Sequence, residues 1–152
     1  MIVPDLNLLI YAYNEGVAYH GDARHWWETL LNGRERVGVP WVVLTGFVRL
    51  MTHPRVLTSP VSPEQALAYV RVWFQYPHVV PLNPGAEHLT YLQRNLAAAG
   101  AGGQLMSDAH IAALAIEYQA EVHSTDSDFS RFPGLRWRNP IRTQTDLNAP
   151  ST

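Results

Sequence analysis

Residues 2–13 read Ile2-Val3-Pro4-Asp5-Leu6-Asn7-Leu8-Leu9-Ile10-Tyr11-Ala12-Tyr13. Ile2-Val3 is a short apolar run of the kind that buries as a strand, and Pro4-Asp5 ends it on an acid. From Leu6 the period changes. Leu6, Leu9, Ile10 and Tyr13 fall on one face of a helix, which Asn14-Glu15-Gly16 stops. A buried strand that turns into a helix through an Asp is the first half of a strand–helix–strand unit, and the chain repeats the alternation.

Outward from this stretch, helices are expected over 20–31 (ended by Asn32-Gly33), 41–51, 62 to about 75, 85–99 and 107–119, with strands over 36–39, 78–82, 121–125 and 135–138. Ser62-Pro63-Glu64-Gln65 is the strongest helix start: a capping serine, a proline at the first position and a polar residue three after the cap. Residues 52–61 read as a loop, 129–133 as a helical turn, and 141–152 as a polar tail after one domain over 1–140. Strands alternating with helices predict an α/β fold, a mainly parallel sheet with helices on both faces. Ligands of such sheets bind beyond the carboxyl ends of the strands. Asp5 and Asp126 stand at those ends, and Asp108 opens an alanine-rich helix.

Composition narrows the chemistry. The chain has 152 residues, no cysteine, and no lysine among its 11 basic residues. Thiolate nucleophiles, cysteine metal sites, a Walker lysine and a Schiff-base lysine are excluded. A receiver domain lacks its lysine. A haloacid-dehalogenase-type phosphatase lacks that residue too, and would need an acid where Asn7 stands. No Gly-x-Ser-x-Gly and no His-Glu-x-x-His occurs. Net charge is −2, so any nucleic-acid binding is local rather than driven by a global basic field. No signal peptide and no long apolar run is present, so a cytoplasmic protein with no membrane span is expected.

Several acids brought together repel one another and raise each other's pKa, unless a cation joins them. Oxygen donors of this kind suit a hard divalent ion, Mg²⁺ or Mn²⁺, which supports phosphodiester hydrolysis. Arg49, His53 and Arg55 could line a phosphate groove. His110 is expected to point away from Asp108. The Trp26-Trp27 pair reads as core with one ring partly exposed, or as a partner surface.

The segments 3–12, 47–56, 107–115 and Ser124-Thr125-Asp126-Ser127-Asp128-Phe129 with Phe132-Pro133-Gly134-Leu135 together resemble the PIN-domain ribonucleases, and within them the VapC toxins of toxin–antitoxin pairs. The resemblance implies an endoribonuclease with RNA as substrate, a homodimer, and a VapB-like antitoxin lying near Trp26, Trp27 and Trp41. It maps Asp5, Asp108 and Asp126 onto the catalytic metal-binding acids, with Asp128 assisting and Asn7 orienting the first Asp or a water. One departure stands out: the family's usual Glu in the third helix is Gly46 here. This implies one firmly held ion rather than two. It also leaves open a catalytically weak PIN-fold module that binds RNA or protein. On the sequence alone, Gly46→Glu should tighten metal binding and spare the helix about 1 kcal/mol.

Overall fold

The computed structural model describes residues 1–100 and 103–141. Ile2–Pro4 forms strand β1 and is buried along its whole length, with a neighbour on each side. On one side lie β2 (Val37–Pro40) and then β3 (Val79–Leu82). On the other lie β4 (Glu121–His123) and then β5 (Arg136–Arg138). The order is β3-β2-β1-β4-β5 and every pairing is parallel, with Ile2 opposite both Val37 and Glu121. Pro81 is tolerated because β3 is an edge strand.

Helices α1 (Leu6–Tyr13) and α2 (His20–Asn32) connect β1 to β2, and α3 (Trp41–Met51) and α4 (Pro63–Trp73) connect β2 to β3. The chain then returns across the sheet through α5 (His88–Ala99) and α6 (Met106–Glu117) to β4. Outward and return crossovers of the same right hand lie on opposite faces. Accordingly α1 packs on α2 and α3, α3 on α4, and α5 on α6. The helix start at Ser62 is as expected: its hydroxyl accepts from the Gln65 N–H at 3.1 Å.

Several boundaries move. The fifth helix begins at His88 rather than Gly85, because the Gly85 N–H donates to the Glu117 carboxylate at 3.0 Å and holds 83–87 as a connection. The sixth starts at Met106 and ends at Glu117, two residues before Gln119 takes a positive φ of 52°. Strand β4 stops at His123, and the fourth helix stops at Trp73. The turn expected over 129–133 is a short 3-10 helix over Ser127–Arg131. Ile141, the first residue of the expected tail, is buried; 142–152 lie outside the described residues.

The core contradicts the half-exposed reading of the tryptophan pair. Trp26 and Trp27 are both buried. Trp27 meets Trp73 edge-on with ring centroids 5.4 Å apart, and Trp26 donates its indole N–H to His123 Nδ1 at 3.0 Å, which ties α2 to β4. The two rings are therefore core rather than an exposed patch, although Trp26 also lines an open pocket with His25, Thr29 and Leu30 of the same helix. Among the described residues, no helix is long and apolar enough to cross a membrane.

Candidate active site

The order β3-β2-β1-β4-β5 reverses direction between β1 and β4, the place where open parallel sheets bind ligands. Asp5 follows β1 directly and caps α1: its Oδ1 accepts the Leu6 N–H at 2.7 Å. Its own N–H donates to the His123 carbonyl at 2.9 Å, which fixes it to the neighbouring strand. Ser124 follows β4 and is fully buried. Its hydroxyl donates to Asp5 Oδ2 at 2.6 Å while its oxygen accepts the Asp126 N–H at 2.9 Å. Asp126 Oδ1 in turn accepts the Asp128 N–H at 2.9 Å and caps the 3-10 helix. One hydrogen-bonded chain thus runs across the seam of the two strands. In the sequence Ser124 opens the 124–129 segment without an assigned role. Its place two residues before an Asp at a strand end, where a hydroxyl can bridge, is the signal that could have found it.

Asp108 comes from the other layer, in the first turn of α6. With Asp5 it lines a cleft of about 150 Å³ whose other walls include Asn7, Val42, Val43, Arg49 and Ser107. Burial, and then the charges of Asp5, Asp126 and Asp128, push its carboxyl up to about 6. Asp5 is also raised, by burial first, against the lowering effect of its bonds to Ser124 and Leu6. Among the described residues, Asp5, Asp108 and Asp126 have no ion-pair partner, whereas Asp128 lies 3.6 Å from Arg131.

Asp108 therefore feels the charges of the other three acids, and Asp5 feels that of Asp126, as members of a metal-binding set would. They do not close a shell, however: among the described residues, no three acidic or histidine side chains stand close enough to hold an ion together. The donor set is all oxygen and carries an uncompensated negative charge, so it fits a hard divalent cation.

The raised Asp108 has a measurable consequence. Its folded pKa exceeds its unfolded value, so the folded state takes up the proton first and stability falls as pH rises from about 4 to about 6. In EDTA, Asp108→Asn is expected to unfold at a higher temperature than the wild type at pH 7.5. That advantage should shrink towards pH 4. Thermal melts at the two pH values check it, and an advantage independent of pH would contradict the cause.

Gly46 is buried in α3, and a Cβ placed there would lie 2.7 Å from Leu6 Cδ2. Leu6, itself part of the cleft wall, fills the room an acid at 46 would need. This reverses the expected gain from Gly46→Glu: the new side chain must displace Leu6. We expect Gly46→Glu to lose about 1–3 kcal/mol in urea denaturation, as overpacking does. Leu6→Ala combined with Gly46→Glu should recover part of that. Only the double variant should bind Mn²⁺ more tightly by calorimetry, and a single variant that is both stable and tighter would overturn the packing argument.

Of the residues expected to touch substrate, Asn7 and Arg49 line the cleft. His53 and Arg55 are not among its walls; His53 Nδ1 accepts the Arg55 N–H at 3.1 Å and closes the turn after α3. His110 pairs with His88 (2.8 Å), and His88 lies 3.3 Å from Glu117, so it joins α5 to α6 rather than the acids.

A family model described as PIN domain matches residues 2–135. Ribonuclease VapC33 of Mycobacterium tuberculosis is 43% identical over 142 residues, covering 93% of this chain and 99% of its own length. Ribonuclease VapC37 of the same species is 41% identical over 140 residues, covering 92% and 97%. The crystal structure of M. tuberculosis VapC20, described as a Sarcin-Ricin loop cleaving toxin, superposes with a TM-score of 0.65 at 21% identity, covering 90% of this chain and 99% of that one. VapBC2 from Rickettsia felis, bound to a DNA fragment from its promoter, gives 0.64 at 21% identity, covering 91% and 98%. At these identities the two structures speak for the fold alone.

Proposed function

The chain belongs to the PIN-domain family, and from that premise we propose that it is a metal-dependent endoribonuclease, the toxin of a VapBC-type pair restrained in the cytoplasm by a VapB-like antitoxin. One observation carries the reading most directly. Asp5 and Asp126 are linked through Ser124 at the switch point, Asp108 shares the cleft wall with Asp5, and the charges of Asp5, Asp126 and Asp128 help to raise the Asp108 carboxyl. The full-length similarity to named ribonucleases supports it.

Asp5, Asp108 and Asp126, assisted by Asp128, would hold the ion, with Mg²⁺ or Mn²⁺ suited to carboxylate oxygens. Held there, such an ion would supply Lewis acidity towards a phosphate and would lower the pKa of a water. The remaining work belongs to the chain. The Leu6 N–H and the Ser124 hydroxyl each occupy one lone pair of Asp5, which sets its orientation and leaves other lone pairs free. Asp108 must be ionised to serve, so metal binding should weaken below about pH 6. Asn7 and Arg49 face the RNA from the cleft wall, Arg49 with a fork that matches phosphate oxygens.

With Gly46 in place of an acid, the site has one carboxylate fewer, which favours one firmly held ion and modest turnover. That departure is also the observation behind the second reading, a weakly catalytic module that binds RNA or protein. Incubating the chain with a mixed RNA pool separates the two. Cleavage that needs Mg²⁺ or Mn²⁺, stops in EDTA and is lost in Asp5→Asn supports the nuclease. Binding without cleavage at any metal concentration supports the module.

A further inference from the structure

Helix α3 carries one exposed stripe at i, i+4 and i+8: Trp41, Thr45 and Arg49. Arg49 lines the acid cleft, and so do Val42 and Val43, the two residues after Trp41. Thr45 turns its hydroxyl back onto the Trp41 carbonyl at 2.8 Å, so it presents no charge between the two. The indole of Trp41 is 50% exposed. Among the described residues, only Tyr118 is another aromatic side chain so exposed, and its hydroxyl is engaged by the Asn83 carbonyl on the far end of α6. The other tryptophans are built into the core or half-buried, whereas Trp41 makes no aromatic pair among the described residues.

An exposed indole on the same helix stripe as an arginine of the cleft wall is a pairing that suits single-stranded nucleic acid. The cation follows the backbone, and the flat ring takes a base. The rise along a helix puts about 12 Å between the two α-carbons. That leaves room for a phosphate at Arg49 and an unstacked base at Trp41 in one extended strand.

We propose that Trp41 is the base-stacking platform of the RNA substrate and that α3 is the track along which the strand leaves the acid cleft. The inference rests on the ribonuclease reading above and adds the residue that would set preference for the base beside the cut. Pyrimidines and purines stack with different strength on an indole, so base preference should follow this position.

The test uses the full chain with Asp5→Asn as a cleavage-deficient parent, in Mg²⁺, with fluorescently labelled single-stranded RNA of mixed sequence. Trp41→Ala and Trp41→Leu should each bind about tenfold more weakly. Trp41→Phe should stay near the parent, and RNA should quench indole fluorescence in the parent far more than in Trp41→Leu. In the otherwise native chain, kcat/KM for cleavage should fall with the same pattern while Mn²⁺ affinity by calorimetry is unchanged. Should Trp41→Leu fail to fold, the affinity of Trp41→Ala and the loss of RNA-induced indole quenching in Trp41→Phe relative to the parent still decide. Equal RNA affinity across the series, with cleavage intact, overturns the platform and leaves the nuclease standing. Equal RNA affinity with loss of inhibition by a co-expressed antitoxin likewise overturns it, and assigns the indole to that protein. Absence of both cleavage and RNA binding in the native chain overturns the ribonuclease reading itself.

Discussion

Asp5→Asn is expected to cut RNA cleavage by roughly 10²-fold or more, because changing even the outer partners of a metal ligand typically costs 10–100-fold. The protein should remain folded with a nearly unchanged urea midpoint. Two effects oppose each other. Asp5 is only 5% exposed and burial raises its pKa, so a neutral amide escapes the desolvation penalty of the carboxylate. Against this, the strong bond from the Ser124 hydroxyl at 2.6 Å loses its charge. The net change is expected within about 1 kcal/mol. Asp5→Ala differs, since it leaves the Ser124 hydroxyl and the Leu6 N–H without their acceptor at a cost of roughly 1–3 kcal/mol each. Cleavage assays beside urea curves for both variants check the pair. Full activity in Asp5→Asn would remove Asp5 from the metal site, and collapse of the fold in the same variant would make it a structural residue first.

Trp73→Ala is expected to cost about 3–5 kcal/mol, the usual range for deleting a large buried aromatic side chain. At this chain length that lowers Tm by roughly 10 °C. Trp73 is fully buried where α1, α3 and α4 meet. Its ring lies 4.7 Å from Phe47 and 5.4 Å from Trp27, centroid to centroid, and its N–H donates to the Tyr13 hydroxyl at 2.7 Å. Trp73→Phe keeps most of the packing and gives up the hydrogen bond, so about 1 kcal/mol is expected. Below the melting transition the alanine variant should still bind Mn²⁺, because Asp5, Ser124 and Asp126 are held by their own bonds across β1 and β4. A Tm loss under about 2 °C would mean that the cluster is not packed as described.

How far the sequence reaches differs from element to element. The Asp-capped start of α1 and the Ser62-Pro63 start of α4 are local events: a side-chain oxygen meets the N–H of the next residue, Leu6, or of the third, Gln65, and both endpoints are visible in the string. The parallel sheet with helices on both faces follows from the alternation of periods, since each pattern can bury its apolar residues in only one way. The corrections fall where a distant group intervenes. Glu117 holds Gly85 out of α5, and the packing of Trp27 on Trp73 and of Trp26 on His123 puts both rings of the pair inside.

The same division runs through the site. Placement at strand and helix ends was enough to make Asp5, Asp108 and Asp126 candidates, because ligands of parallel sheets bind beyond the strands' carboxyl ends, while Asp128 and the metal-binding role come from the family resemblance. Ser124, 119 residues from Asp5, is a hydrogen-bond partner only once β4 lies beside β1. Whether Arg49 or His53 faces the cleft depends on the packing of α3, and whether Gly46 has room for an acid depends on Leu6. The sequence by itself thus determined the fold class and the chemical character of the site, both of which rest on short-range patterns. The tertiary structure alone decided which side chains share a cleft and how strongly their charges couple, because desolvation and charge repulsion depend on distances that only the packed chain sets.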